Sequence, residues 1–328
     1  MKVSILENML TFVCIERIYM DQKKTLKIAK NVFKILVTAV ALFWLAKNLK
    51  FKEFKDSILN ANYFFLFLAF VSYVVSQFIA SSRLNSFFKT IHLKLSEKFN
   101  IKLYWLGLLY NFFLPGGVGG DAYKVYLLKK KYNKTTKELL TAVFFDRLSG
   151  MWAVAIFCCA FVVFMPRFAI PNYVPAIAAA IGTVTYLYTL YLFFRPFAKR
   201  FFQTHAKALG VQGFQILSAL FILIALQHDD KYSPHLLIFI ISSITAIIPS
   251  IGGAIGVRDS SSVELAKYLG VSDQLAGTVS LIFYFISLIT SLPGLYINFR
   301  PSGLGENKLP SAAEVEKEMI DNDSNDEN

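Results

Sequence analysis

Four histidines and three cysteines in 328 residues leave little from which to build a metal or redox centre. Cys14, Cys158 and Cys159 lack the spacing of a zinc site or disulfide framework, and His92, His205, His228 and His235 fall in separate segments. No Walker loop, Ser-His-Asp set or carboxylate cluster is present, so the sequence offers ATP-driven and hydrolytic chemistry no seat and implies no cofactor. Charge is scarce too. Only 17% of residues are charged, and 22 acidic residues face 34 basic ones.

Apolar residues take the place of charge: 55% are hydrophobic and 16% aromatic, with mean hydropathy +0.49. Ser57–Ser82, Phe168–Phe194, Ala208–Gln227 and Gln274–Phe299 are uncharged. Each reaches the roughly 20 residues that a helix needs to cross the hydrocarbon layer. The pattern predicts an all-α polytopic integral membrane protein. The formal net charge of +12 does not signal nucleic acid, because the basic residues cluster between apolar segments as in cytoplasmic loops. No aromatic-basic recognition motif accompanies them.

Glu7 and Glu16 interrupt the first apolar run, so it does not read as a signal peptide. Residues 1–24 read as an N-terminal cytoplasmic extension and 25–300 as the membrane domain. Residues 301–328 read as a disordered acidic cytoplasmic tail.

Loop charge sets the expected topology. After spans near Asn31–Leu49 and Ser57–Ser82, the stretch Arg83–Lys102 carries five basic residues against Glu97 alone. That places it, and the N-terminus, in the cytoplasm. The next apolar run, Leu103–Leu114, spans only about 18 Å as a helix, against a core about 30 Å thick. It ends in Leu114-Pro115-Gly116-Gly117-Val118-Gly119-Gly120-Asp121, and Lys124 to Lys137 beyond it are again strongly basic. A re-entrant hairpin satisfies both flanks, since broken backbone survives at membrane depth only inside protein or against a polar cavity.

Three spans follow, near Leu139–Met165, Asn172–Phe194 and Ala208–Gln227. A second short run, Leu236–Ile248, then ends in Pro249, Gly252, Gly253 and Gly256, and Gln274–Phe299 returns the chain to the cytoplasm. The total is about six transmembrane helices and two Gly-rich hairpins. Three crossings between the hairpins make them enter from opposite faces, as in an inverted-topology repeat. Eight full crossings fit hydropathy alone.

The block from Asn111 through Pro115, the glycines and Asp121 to Leu128 resembles the membrane region of bacterial lysylphosphatidylglycerol synthases, a flippase-like family. So do Phe145-Asp146-Arg147-Leu148-Ser149-Gly150, the segment Pro249–Ser262, and Ser291-Leu292-Pro293-Gly294. The likeness covers roughly residues 25–300. Asp259 stands where the family usually has Glu, and Lys124 where Arg is common. The soluble aminoacyl-transfer domain of full synthases has no counterpart after residue 300.

The resemblance therefore implies a cell-membrane module that binds and translocates a phospholipid, aminoacyl-lipid or glycolipid headgroup, rather than the lysyl-transfer enzyme. A non-transporting scaffold for a separate soluble transferase is the alternative, and self-association stays open. A lipid-modifying enzyme acting through Asp146, Asp259 and Glu264 is the least favoured reading.

Candidate substrate contacts follow from the same blocks. Backbone N–H groups at Gly116, Gly117, Gly119, Gly120, Gly252, Gly253 and Gly256, with the positive end of the following helix, suit an anion. Lys124, Arg147 and Arg258 could grip a lipid phosphate. For Arg258 a structural pair with Asp121, Asp146 or Glu264 is an equal alternative. Asp121 and Asp259 read first as helix N-caps and second as partners of Arg147 or Arg258. Asp146 and Arg147, adjacent in sequence, point apart on a helix and fit anchoring at least as well as chemistry. Asn111 suits freed backbone groups near the first turn.

Overall fold

A computed structural model describes residues 51–113, 119–163, 171–227, 232–245, 257–300 and 304. Those residues form helices and no strands. In chain order the helices are α1 (Phe51–Leu59), α2 (Tyr63–Phe88), α3 (Glu97–Phe113), α4 (Gly119–Tyr132), α5 (Thr136–Val163) and α6 (Tyr173–Phe193). There follow α7 (Arg195–Ala198), α8 (Phe201–Ala225), α9 (Tyr232–Thr245), α10 (Val257–Leu269), α11 (Asp273–Ser291) and α12 (Pro293–Phe299). Five stretches are long and apolar enough to cross a membrane: Tyr63–Ile91, Thr136–Val163, Tyr173–Phe193, Phe201–Ala225 and Asp273–Phe299. These are the expected spans with shifted ends. The expected span at Asn31–Leu49 lies outside the described residues.

α6 shows why the solvent must be lipid. Ile181 is 61% and Val184 66% exposed, and Gly182 has no neighbour within 4 Å of a Cβ built on it. A helix this apolar and this bare is stable only against hydrocarbon. The protein is a polytopic all-α membrane protein.

α2 and α8 form the central pair. Asn62 N–H donates to the Ala225 carbonyl (2.8 Å), Ser218 Oγ to the Ala69 carbonyl (2.8 Å), and Lys207 Nζ to Ser82 Oγ (2.8 Å). As one partner number rises the other falls, so the two helices run antiparallel along their whole length. That direction is the one required by three crossings between the hairpins.

The structure corrects one boundary. Arg83 is not the first residue of a loop, because α2 continues to Phe88. Past Ser82 the helix is held by polar contacts: Lys207 Nζ donates to Ser86 Oγ (2.8 Å), and Asn85 Nδ2 donates to Glu97 Oε1 (2.7 Å). Buried polar groups are tolerated when bonded in this way.

Both Gly-rich segments connect antiparallel helix pairs. In the first, Phe99 meets Tyr132 (ring centroids 6.0 Å), Tyr110 stacks on Tyr123 (4.0 Å), and Asn111 Oδ1 accepts from Gly120 N–H (3.0 Å). In the second, Arg258 reaches Ser243 Oγ (3.3 Å), while Ile238 and Ala266 pack nearer the base. The helices have 17 and 14 residues in the first pair and 14 and 13 in the second. At 1.5 Å per residue each is about 20–25 Å long. The turns themselves, with Gly116, Gly117, Gly252, Gly253 and Gly256, lie outside the described residues.

The first hairpin's base packs at the C-terminal end of α2, where Asn100 Nδ2 donates to the Ser81 carbonyl (2.7 Å). The second hairpin's base packs at the other end, where Tyr232 joins Ile58 and Leu226. α12 restarts at Pro293 beside α3, with Trp105 Nε1 bonded to the Thr290 carbonyl (2.9 Å). A Cβ on Gly294 would fall 2.5 Å from the Trp105 carbonyl oxygen, which accounts for glycine in the Ser291–Gly294 block.

Candidate functional site

Two charged stations lie along α2, one towards its C-terminal end and one near its middle. The first is built on the first hairpin and α5. Asp121, in the first turn of α4, is gripped by Lys124 Nζ (2.5 Å) and Arg147 Nε (2.6 Å). Lys124 sits one turn along the same helix, as i, i+3 spacing allows. Its Nζ lies 5.1 Å from the Tyr104 ring centroid, and its stem fills the space left by Gly107. Beside this set, Arg83 forms a two-pronged pair with Asp146, Nε to Oδ1 at 2.8 Å and a terminal nitrogen to Oδ2 at 3.0 Å. Both side chains are buried, and Gly150 leaves room for the guanidinium.

Asp146 and Arg147 therefore diverge as neighbours on a helix must, one to α2 and the other to α4. Asp121 acts as a partner of cations, which was its second expected role. Asn111 satisfies the Gly120 N–H, as expected. Gly119 and Gly120 begin α4, and Gly120 faces α3 rather than a ligand: a Cβ there would lie 1.9 Å from the Gly107 carbonyl oxygen.

The second station holds Arg258, in the first turn of α10. None of its three expected partners pairs with it: Asp121 binds Lys124 and Arg147, Asp146 binds Arg83, and Glu264 binds Lys267 (3.2 Å). Instead the guanidinium carbon lies 4.3 Å from the Phe239 ring centroid and 4.5 Å from that of Phe283. One terminal nitrogen reaches Ser243 Oγ, whereas the buried Nε has no acceptor among the described residues. Arginine suits such a box because its flat, weakly hydrated cation stacks on ring faces and keeps in-plane donors for an anion. Asp259, next in sequence, is buried at 2% exposure.

One turn of α11 touches both hairpins near their tips. Phe283 contacts Arg258, and Tyr284 meets Phe112 edge-on at 5.7 Å. Tyr73, mid-way along α2, packs on Phe283 (5.0 Å) and shares a hydrogen bond with Ser287 (2.8 Å). From there a polar face of α2 leads to the first station: Gln77 bonds Ser76 (3.1 Å) and accepts from Tyr104 (3.3 Å), whose ring lies beside Lys124. Tyr73 and Arg83 are ten residues apart, about 15 Å along a helix axis. Tyr73, Gln77, Tyr104 and Arg83 had no motif to announce them; only the polar residues on an otherwise apolar span were a signal.

Among the described residues no group of three or more His, Cys, Asp or Glu is placed to hold a metal ion. Replacing Asp121 with asparagine leaves the buried Lys124 without its carboxylate. The expected loss is about 1.5–3 kcal/mol, the worth of a hydrogen bond to charge. Thermal unfolding in detergent measures it, and Lys124→Gln in the same chain recovers part of the loss.

Long bare helices, two antiparallel Gly-linked pairs and buried cations among them define a polytopic membrane module. The model of the lysylphosphatidylglycerol synthase TM region matches residues 31–294, so the chain belongs to that family. No curated protein and no solved structure matches it.

Proposed function

We propose that the protein translocates a phospholipid, aminoacyl-lipid or glycolipid headgroup across the cytoplasmic membrane, with Arg258 as the contact for the lipid phosphate. The hairpins enter from opposite faces and the headgroup passes between them, while its acyl chains stay in lipid. The basic base of the first hairpin faces the cytoplasm, as do both termini.

The observation that carries this reading is a contrast between the stations. The cations of the first are committed to Asp121 and Asp146. Arg258, by comparison, has the charge of its chain neighbour Asp259 nearby but a buried Nε without an acceptor among the described residues. A buried cation left in this way is costly unless an anion visits it. The polar face of α2, through Tyr73 and Gln77, supplies neutral hydrogen-bonding groups along the route to Lys124.

The test is dithionite quenching of acyl-labelled fluorescent phosphatidylglycerol in proteoliposomes. Losing a charged hydrogen bond of about 1.5–3 kcal/mol predicts that Arg258→Gln slows translocation roughly 10- to 100-fold, with Arg258→Lys intermediate. Wild-type rates in Arg258→Gln would reject the assignment.

A further inference from the structure

The base of the first hairpin is a basic surface. Lys94 and Lys98 are exposed just before and within the first turn of α3, and Lys102 follows one turn later. Lys129, Lys130 and Lys131 close α4 beside them, with Lys130 and Lys131 exposed. Among the described residues no carboxylate lies within ion-pair distance of any of the six. This is a large uncompensated field at one end of the molecule.

The chain beyond α12 returns to the same place. Leu304 is 1% exposed, packed in the apolar cluster that holds Phe99, Leu128 and Tyr132. Its carbonyl accepts a hydrogen bond from Lys131 Nζ, which also lies 4.6 Å from the Phe99 ring centroid. Leu304 thus pins the start of the C-terminal segment to the hairpin base. From Glu306 to Asn328 the sequence has eight acidic residues against Lys308 and Lys317. A chain spans at most about 3.5 Å per residue, so Glu306 lies within roughly 7 Å of Leu304 and Glu314 within roughly 35 Å.

We propose that residues 306–328 dock on this basic surface as an intramolecular counter-charge, covering Lys98, Lys102 and Lys129–Lys131. The segment has little to bury, so the contact is electrostatic and sensitive to salt. It lowers the field that the hairpin base presents to anionic lipid and to other acidic partners. The inference rests on Leu304 and on charge, and stands whether or not Arg258 binds a headgroup.

The experiment is zero-length carbodiimide cross-linking of the full chain in phosphatidylcholine nanodiscs, with peptide mapping. Tail carboxylates should couple to Lys98, Lys102 and Lys129–Lys131 and not to Lys55 or Lys267, which lie at the opposite end of the α2–α8 pair. The adducts should fade as salt rises towards 1 M, where the Debye length falls to about 3 Å. Ending the chain after Gly305 should raise amine labelling of Lys129 and Lys130 by about threefold or more. Lys129→Glu with Lys130→Glu should abolish the adducts. Absence of adducts, or equal coupling to Lys55 and Lys267, overturns the proposal. So does lysine protection that needs anionic lipid and survives truncation, since it would assign the surface to the membrane.

Discussion

Arg83→Gln or Asp146→Asn is expected to destabilise the protein by about 3–5 kcal/mol, because each strands the other's charge inside the helix bundle. The pair is bidentate, at 2.8 and 3.0 Å, and its side chains are 9% and 13% exposed. It ties α2 to α5 at the level where Asp121 ties α4 to α5. Water cannot re-solvate the survivor without opening the bundle. Replacing both partners with apolar residues of similar volume, Arg83→Met with Asp146→Leu, should cost much less than the sum of the single changes. A double-mutant cycle read by thermal unfolding in detergent checks this. Additive losses would show that the pair is solvated and dispensable.

Gly120→Val should be as damaging for a different reason. The first Cβ atom would lie 1.9 Å from the Gly107 carbonyl oxygen and 2.7 Å from Asn111 Oδ1. The first obstacle is backbone, which cannot rotate aside. The two helices must part, and with them go the Asn111–Gly120 hydrogen bond and the Tyr110–Tyr123 stack. Overpacking that cannot relax costs about 3 kcal/mol or more. Gly182→Ala is the matched control. Nothing lies within 4 Å of its Cβ, so the change should be neutral or stabilise by up to about 1 kcal/mol. Equal thermal midpoints for the two variants would refute the close-packed hairpin.

Much of the fold was legible because lipid imposes simple rules on a sequence. Apolar length marked the spans, and runs too short to cross, ending in Pro and Gly, marked the antiparallel pairs. Loop charge gave the direction in which α2 and α8 oppose each other. Arg83 was misread for the same reason: a positive charge after an apolar run looks like the start of a cytoplasmic loop. Only its partner on α5, 63 residues away, reveals a buried ion pair.

The glycines show another boundary. Sequence says that backbone comes close to something at Gly120, and cannot say whether that is a ligand or another helix. Here it is α3. The Arg258 box was hidden differently, since Phe239 and Phe283 are unremarkable in spans full of aromatics and matter only through their place beside one guanidinium.

The central claim is that a lipid headgroup visits Arg258 between the hairpin tips. Photo-cross-linking with a phospholipid that bears a diazirine in its headgroup tests it most directly. Adducts are predicted on Phe239, Ser243 and Phe283, reduced when Arg258 is changed to glutamine. Adducts confined to the outward face of α6, at residues such as Ile181 and Val184, with none around Arg258, would contradict it.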